Sequence, residues 1–300
     1  MINRRDFIRD AGAVGAAWSL PNAIAAKAVE MVTMPTRPIP VSGEPLPIVG
    51  LGNSQSFRDG DYENSRKLLD LLVNNGGSVV DSWSSTQEIF GRYMHEYDAK
   101  SKLFLANNIS ATTGQDSDAA IRYAKEAQGK AVLDLLQLSN PAEFDKRWRL
   151  MRDAKEEGHA RYIGLAISRS RYYDLVESLI ESETTDFIQV NYSILEPESG
   201  ERLLPLARDK GVAVITNRPF VNGRYFLLVK NKDLPAWAAD FDCRSWAQFS
   251  LKFILANPAV NCVITETSKT RHAIDNLSAG FGRLPGEETS ARMLRLMQSF

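Results

Sequence analysis

The chain contains few residues that bind transition metals, with three histidines and two cysteines among 300 residues. Their spacing matches no metal site, so the sequence gives no support for metal catalysis. Lysine plus arginine (36) and aspartate plus glutamate (37) nearly balance, which argues against nucleic-acid binding through a basic surface. After residue 25, no apolar run is long enough to cross a bilayer. Cys262 lies in an apolar stretch, which favours a buried free thiol over a disulfide with Cys243.

The first 25 residues have the pattern of an export signal. The pair Arg4-Arg5 is followed by a short apolar run over residues 11–20 and by the small residues Ala23 and Ala25. This order resembles a twin-arginine signal peptide, which implies a mature chain starting near Ala26, a periplasmic location and export in the folded state. The alternative is an ordinary amphipathic helix at the N-terminus. No association with a membrane is expected after cleavage.

Eight short apolar runs alternate with amphipathic segments in the rest of the chain. The runs lie at residues 47–52, 78–82, 103–109, 133–139, 162–167, 187–193, 212–217 and 260–265. Nearly continuous apolar character is typical of parallel strands that are covered on both faces. The pattern predicts an α/β fold, a single-domain (β/α)8 TIM barrel over residues 47–300 after a leading segment at 26–46.

A doubly wound open sheet is the alternative fold. It would be expected to carry a glycine-rich turn after its first strand, and the sequence GLGN at 50–53 is too short for that fingerprint. The longest irregular segment, 219–244, follows the seventh predicted strand and is rich in aromatic residues. Because functional loops of barrels follow the strands, we expect this segment to fold over the barrel mouth.

Five stretches carry a resemblance to one family. They read GSVVDS at 77–82, LDLLQLSNP at 133–141, RYIGL at 161–165, IQVNYS at 188–193 and TNRPF at 216–220. In order and spacing they resemble the strand ends of aldo-keto reductases. The resemblance implies NADPH-dependent carbonyl reduction by four residues: a tyrosine acid, a lysine, an aspartate and a substrate-orienting histidine.

Only one of those four residues is retained. Asp81 matches the aspartate, whereas Thr86, Asn108 and Ser139 stand at the positions of the tyrosine, lysine and histidine. Hydride addition to a carbonyl produces an alkoxide, which needs a proton donor with a pKa near the working pH. A threonine hydroxyl cannot be tuned to that range, and an asparagine brings no positive charge. The sequence predicts that conventional reduction is lost, unless Tyr93 supplies the acid from a nearby helix.

The residues that would hold a nicotinamide cofactor are unevenly retained. The resemblance implies a Ser-Asn pair and a glutamine around the carboxamide; here Ala166 and Ile167 replace the pair, while Gln189 remains. The candidates for contact with the phosphates are Ser268, Lys269, Arg271 and Asn276. Glu266 stands where the family has a small residue, and its carboxylate would repel phosphates. We expect no cofactor, with NADP as the alternative, because the periplasm offers no pool of reduced nicotinamide.

Polar side chains are predicted to gather at the barrel mouth. Besides the tetrad positions and Asn107, the candidates for ligand binding are Trp83, Asn140, Asn191, Asn217 and Arg218. Neutral hydrogen-bonding groups with one acid, one base and an aromatic face suit a polyol, a sugar or a small acid. Arg218 is a candidate partner for Asp81. Simpler structural roles are a helix cap or an internal salt bridge for Asp81 and packing for Trp83.

Three hypotheses for function follow. The favoured one is an exported barrel that no longer reduces carbonyls and binds a small polar molecule or a periplasmic protein. The second is an enzyme with changed, non-redox chemistry, a lyase or isomerase with Asp81 as the base. The third is an atypical reductase with a tightly held NADP.

Overall fold

A computed structural model describes residues 33–58, 60–99, 102–109, 117–139 and 141–300. The predicted signal segment, 1–25, lies outside the described residues. The candidate ligand-binding residue Asn140 lies outside them as well.

Eight parallel strands form a closed barrel, which confirms the predicted (β/α)8 fold. The strands of the barrel are β3 (Val49–Leu51), β4 (Val79–Trp83), β5 (Phe104–Ile109), β6 (Leu133–Leu138), β7 (Ala160–Ala166), β8 (Phe187–Asn191), β9 (Ala213–Asn217) and β10 (Cys262–Thr265). They follow one another around the barrel in chain order, and β10 pairs with β3 to close it. Every residue of β5 and β6 is buried, as expected for strands between an inner core and an outer layer of helices.

Helices follow the barrel strands and cover them from outside. Their bounds are α1 (Tyr62–Asn74), α2 (Gln87–Glu96), α3 (Ser117–Gln128), α4 (Phe144–Glu156), α5 (Tyr173–Glu181), α6 (Glu198–Asp209), α7 (Arg224–Leu228), α8 (Trp246–Ala256), α9 (Thr270–Ser278) and α10 (Glu287–Gln298). A glycine ends the first of these helices: Gly76, after α1, has a φ of 78°, a conformation that glycine adopts without steric cost.

A short hairpin covers the end of the barrel where the strands begin. It consists of β1 (Thr36–Pro38) and β2 (Pro45–Pro47), which pair antiparallel. Ile39 and Leu46 are fully buried in one cluster with the inward-facing rings of Phe104 and Phe187. Arg161 fastens the hairpin by donating to Glu44 at 2.7 Å. The sequence analysis did not predict this hairpin. Because the hairpin covers one end of the barrel, the opposite end is the open one.

The irregular segment 219–244 lies partly over that open end, as predicted. It folds into α7 and two 3-10 turns, Val221–Gly223 and Ala236–Phe241. Both cysteines are buried free thiols, and burial raises the pKa of Cys243 to about 11. Within the described residues, no helix is long and apolar enough to cross a membrane.

Candidate active site

A cavity of about 740 Å³ opens at the carboxyl ends of the barrel strands. This end of a (β/α)8 barrel carries the active site in characterised enzymes of the fold. Most of the described residues that line it are of three kinds, and Pro219, Gly223 and Ile264 line it as well. The charged ones are Asp81, Arg218 and Glu266; the neutral polar ones are Ser54, Gln55, Ser168, Gln189, Asn217 and Asn222; the aromatic ones are Trp83, Phe220 and Phe226. The volume suits a small molecule.

Asp81, at the end of β4, is 4% exposed and is held by neutral donors. The indole Nε1 of Trp83 donates to Oδ2 at 2.8 Å, and Nδ2 of Asn108 donates to Oδ1 at 2.5 Å. Burial raises the pKa of Asp81 to about 6, because the charged form loses its hydration; these hydrogen bonds oppose the rise, and the charge of Glu266 adds to it. The carboxyl group therefore changes its charge close to neutral pH.

The threonine at the tyrosine position does not face the cavity. Thr86 precedes α2 and is 2% exposed. Its Oγ1 accepts a hydrogen bond from Nδ2 of Asn53 at 2.6 Å and donates to the backbone oxygen of Trp83 at 3.0 Å. It is not among the described residues that line the cavity. Thr86 therefore fixes the turn between β4 and α2 rather than contacting a ligand.

Asn108 and Ser139, the other two positions predicted to be replaced, also bond to neighbouring parts of the barrel. Asn108 is buried beside Asp81, and its amide nitrogen donates to that carboxylate. Ser139 follows β6 and donates to the backbone oxygen of Ile109 at 3.2 Å. Tyr93 does not supply an acid, because its hydroxyl donates to Asp70 at 3.0 Å, between α2 and α1 on the outside of the barrel.

Arg218 does not pair with Asp81, so that prediction was wrong. Its guanidinium lies 3.6 Å from Glu196, and Asn191 donates to the same carboxylate at 3.1 Å. Asn191 is buried, accepts from the hydroxyl of Tyr173 at 3.2 Å, and is not among the described lining residues. Glu196 from the loop after β8 thus contacts both predicted ligand-binding residues, of which Arg218 lines the cavity and Asn191 does not.

The loop after β9 that carries Arg218 has an unusual backbone. Arg218, Val221 and Asn222 have φ angles of 55°, 47° and 53°. L-residues rarely adopt this left-handed region, and a β-branched valine does so only under strain. Strained segments of this kind concentrate at binding sites, and Asn222 lines the cavity here.

The nucleotide-binding candidates are not gathered around the cavity. Ser268, Lys269 and Arg271 are exposed, on the loop after β10 and the first turn of α9, whereas Asn276 is buried within α9. None of the four is among the described residues that line the cavity.

Glu266, in contrast, lies in the cavity wall. Its Oε2 accepts from the hydroxyl of Ser54 at 2.6 Å. Gly52 makes room for this side chain, because a Cβ at that position would lie 2.5 Å from Cγ of Glu266.

Ala166 and Ile167, predicted to replace the Ser-Asn pair around a nicotinamide carboxamide, are buried. Gln189 lines the cavity together with Ser168, the residue that follows the pair. Sequence reasoning missed Ser168, and likewise Ser54 and Gln55. A signal for them was present in the sequence, since each is a polar residue within three positions of the end of a predicted barrel strand.

Asn217 and Trp83, both predicted to bind ligand, do line the cavity. Asn217 also donates to the backbone oxygen of Ile167 at 2.8 Å, which ties the end of β9 to the end of β7. Trp83 is 36% exposed. Its indole therefore donates a hydrogen bond to Asp81 while part of the ring faces solvent.

Solved structures of similar fold were found in several bacteria. An aldo-keto reductase from Klebsiella pneumoniae in complex with NADPH is 19% identical, with a TM-score of 0.73 over 88% of this chain and 95% of that one. The holo form of an aldo-keto reductase from Bacillus halodurans is 18% identical, with a TM-score of 0.71 over 88% and 96%. One from Brucella melitensis is 19% identical, with a TM-score of 0.70 over 88% and 100%.

At these identities the neighbours show the fold alone. The expectation that this chain has no cofactor finds no support in these structures. The sequence model of the Aldo/keto reductase family matches residues 49–291, most of the chain. The chain therefore belongs to the aldo/keto reductase family.

Proposed function

We propose that this protein is an aldo/keto reductase barrel that no longer reduces carbonyls and binds a small polar ligand at its mouth. One observation supports the proposal above others. Among the described residues that line the cavity there is no tyrosine, lysine or histidine, and the retained Asp81 is bonded to the neutral groups of Trp83 and Asn108.

The missing groups matter because of the charge that hydride transfer creates. The alkoxide needs a proton at the moment it forms, and loss of a positioned acid lowers the rate by about 10²–10⁴. Loss of the cation beside it removes further stabilisation of the transition state. The proposal also holds that NADP does not act here as a hydride donor. In support, the carboxylate of Glu266 stands in the cavity wall, where it would repel phosphate groups.

Steady-state kinetics test this function. Residues 26–300 and an aldo-keto reductase with all four catalytic residues are assayed side by side for NADPH oxidation with a panel of aldehydes. We expect kcat/KM for this chain to be lower by about 10² or more. Tryptophan quenching by NADPH, measured in parallel, separates lost binding from lost chemistry. Oxidation at rates comparable to those of the reference enzyme would contradict the proposal and favour an atypical reductase with a held NADP.

A second candidate function has an observation of its own. The pKa of Asp81, raised to about 6 by burial, suits a general base. A lyase or isomerase that uses Asp81 to abstract a proton would show exchange of a ligand proton with deuterated solvent. The exchange would stop in Asp81→Asn, whose side chain keeps the shape and cannot accept the proton.

We further propose that residues 1–25 direct export by the twin-arginine route and that the protein acts in the periplasm, on a small molecule or a periplasmic protein. The support is the paired Arg4-Arg5 before the apolar run. In a bacterial host with this pathway, we expect the full chain in the periplasmic fraction and the Arg4→Lys, Arg5→Lys double variant in the cytoplasm. Equal distribution of the two proteins would contradict export by this route.

A further inference from the structure

Asp81 is a buried carboxylate that lacks a cationic partner. Its hydrogen-bond donors among the described residues are the indole of Trp83 and the amides of Asn108 and Gln189, all neutral, and no described lysine, arginine or histidine forms an ion pair with it. Buried charges in proteins are normally paired, because removing an ion from water is expensive. A positive charge in the cavity would therefore stabilise the ionised form of this residue.

The charged residues of the cavity wall also favour a positively charged ligand. Glu266 is a second carboxylate, close enough for its charge to raise the pKa of Asp81. Among the described residues of the wall, Arg218 carries the positive charge, and its guanidinium already lies 3.6 Å from the carboxylate of Glu196. The net charge of the cavity wall is therefore negative, and the wall attracts a cation and repels an anion.

Two side-chain amides in the cavity wall have acceptor oxygens without a hydrogen-bond partner among the described residues. Gln189, 5% exposed, directs its amide to Asp81, and Nδ2 of Asn217 donates to the backbone of Ile167. Within the described part of the chain, Oε1 of Gln189 and Oδ1 of Asn217 have no hydrogen-bond partner. Since carboxylates also only accept when ionised, the wall needs a ligand that brings donors.

Aromatic rings complete the wall. Trp83 is 36% exposed and Phe226 is 42% exposed, and the rings of Phe220 and Phe226 lie 4.8 Å apart. Faces of this kind bind an apolar body, and they also attract a nearby ammonium group through their π electrons.

We propose that the ligand of this cavity is a small protonated amine, with its ammonium group between Asp81 and Glu266 and its apolar body against Phe220 and Phe226. The inference rests on the proposed function, because it names the class of ligand for the same cavity. It excludes neutral sugars and small acids, which the polar residues alone would also have suited.

Three probes of one shape test the charge. Calorimetry on residues 26–300 at neutral pH compares phenethylamine, phenylethyl alcohol and phenylacetate, which share a ring and differ in their polar group. We expect the amine to bind about tenfold or more tightly than the alcohol, since hydrogen bonds to charged groups are the stronger ones. We expect phenylacetate to bind most weakly. Glucose serves as a neutral, donor-rich probe without an aromatic ring.

Charge-removing variants locate the ammonium group. Asp81→Asn should weaken binding of the amine about tenfold and leave the alcohol nearly unchanged. Glu266→Gln, at an exposed position, should weaken it about two- to fivefold. The matched control is Glu156→Gln, an exposed residue at the carboxyl end of α4, which places it at the opposite end of the barrel; it should change neither probe. Glu266→Gln also keeps the test valid if Asp81→Asn fails to fold.

Equal affinities for the amine and the alcohol, or variants without effect, would overturn the amine inference. Tighter binding of glucose or phenylacetate would overturn it as well, while leaving a polar-ligand function in place. Failure of all four probes would also count against the amine. Only aldehyde reduction at ordinary family rates would remove the proposed function itself.

Discussion

Asp81→Asn is expected to make the protein more stable at neutral pH, by about 1–3 kcal/mol in the free energy of unfolding. The ionised carboxylate is buried without a cation, and its pKa of about 6, against an ordinary value of 3.8, corresponds to roughly 3 kcal/mol of unfavourable free energy at neutral pH. The amide removes that penalty. The gain is smaller than the full penalty because an amide accepts from only one of the two donors, Trp83 and Asn108.

The pH dependence distinguishes this cause from simple repacking. Between the unfolded and folded pKa values of Asp81, the folded protein binds more protons than the unfolded chain, so stability falls as the pH rises through that interval. The wild type should lose stability between about pH 4 and pH 6, and Asp81→Asn should lack this component. Urea unfolding of both proteins across this range measures it. A variant less stable than the wild type at neutral pH would show that the carboxylate is well compensated in the fold.

A stabilising substitution at this residue would have a functional meaning. Natural proteins keep unfavourable groups where activity requires them, and strongly shifted carboxyl groups in clefts are typical of such sites. By the family resemblance, Asp81 is predicted to be retained and its tetrad partners are predicted to be replaced. This combination is what we expect if the residue binds a ligand, or acts on one, rather than holding the barrel together.

Gly91→Ala is expected to destabilise the protein by about 3 kcal/mol or more, the largest stability effect that we predict. Gly91 lies within α2 where this helix meets α3, and an added Cβ would lie 1.8 Å from the backbone oxygen of Ala127. Neither backbone can give way without separating the two helices, so the result resembles severe overpacking of a core. Thermal and urea unfolding measure the effect.

Gly286→Ala is the matched control for this substitution. Gly286 precedes α10 with a φ of −75°, and a Cβ there would meet no atom within 4 Å. We expect a change within about 0.5 kcal/mol at this site. An equally small change in the free energy of unfolding for Gly91→Ala would contradict the close contact between α2 and α3.

Much of the architecture could be predicted from the sequence. The runs at 103–109 and 133–139 are mostly apolar, and they form β5 and β6, whose residues are all buried, as expected for strands covered on both faces. Strand ends then share one mouth, so Asp81, Trp83 and Asn217 were predicted to lie in one region, and all three line the cavity. The family resemblance added a prediction of which catalytic positions have lost their usual residues.

The direction of individual side chains could not be predicted in the same way. Arg218 was expected to approach Asp81, yet its loop backbone is left-handed and Glu196 holds its guanidinium. Thr86 donates to the backbone oxygen of Trp83 in its own turn, and Ser139 donates to the backbone oxygen of Ile109 at the end of β5. These outcomes depend on partners that are distant in sequence and on loop dihedral angles, for which strand periodicity has no signal.

The sequence alone determined that this chain is a (β/α)8 barrel with an aspartate in its second barrel strand, and it predicted that the family's acid and cation are replaced, because hydrophobic periodicity and residue identity are local properties. Only the tertiary structure decided that this aspartate is buried among neutral donors, that Glu266 lies in the same cavity, and that the hairpin β1–β2 covers the other end. Burial and charge pairing arise from segments far apart in the chain, so they exist only once the barrel has closed.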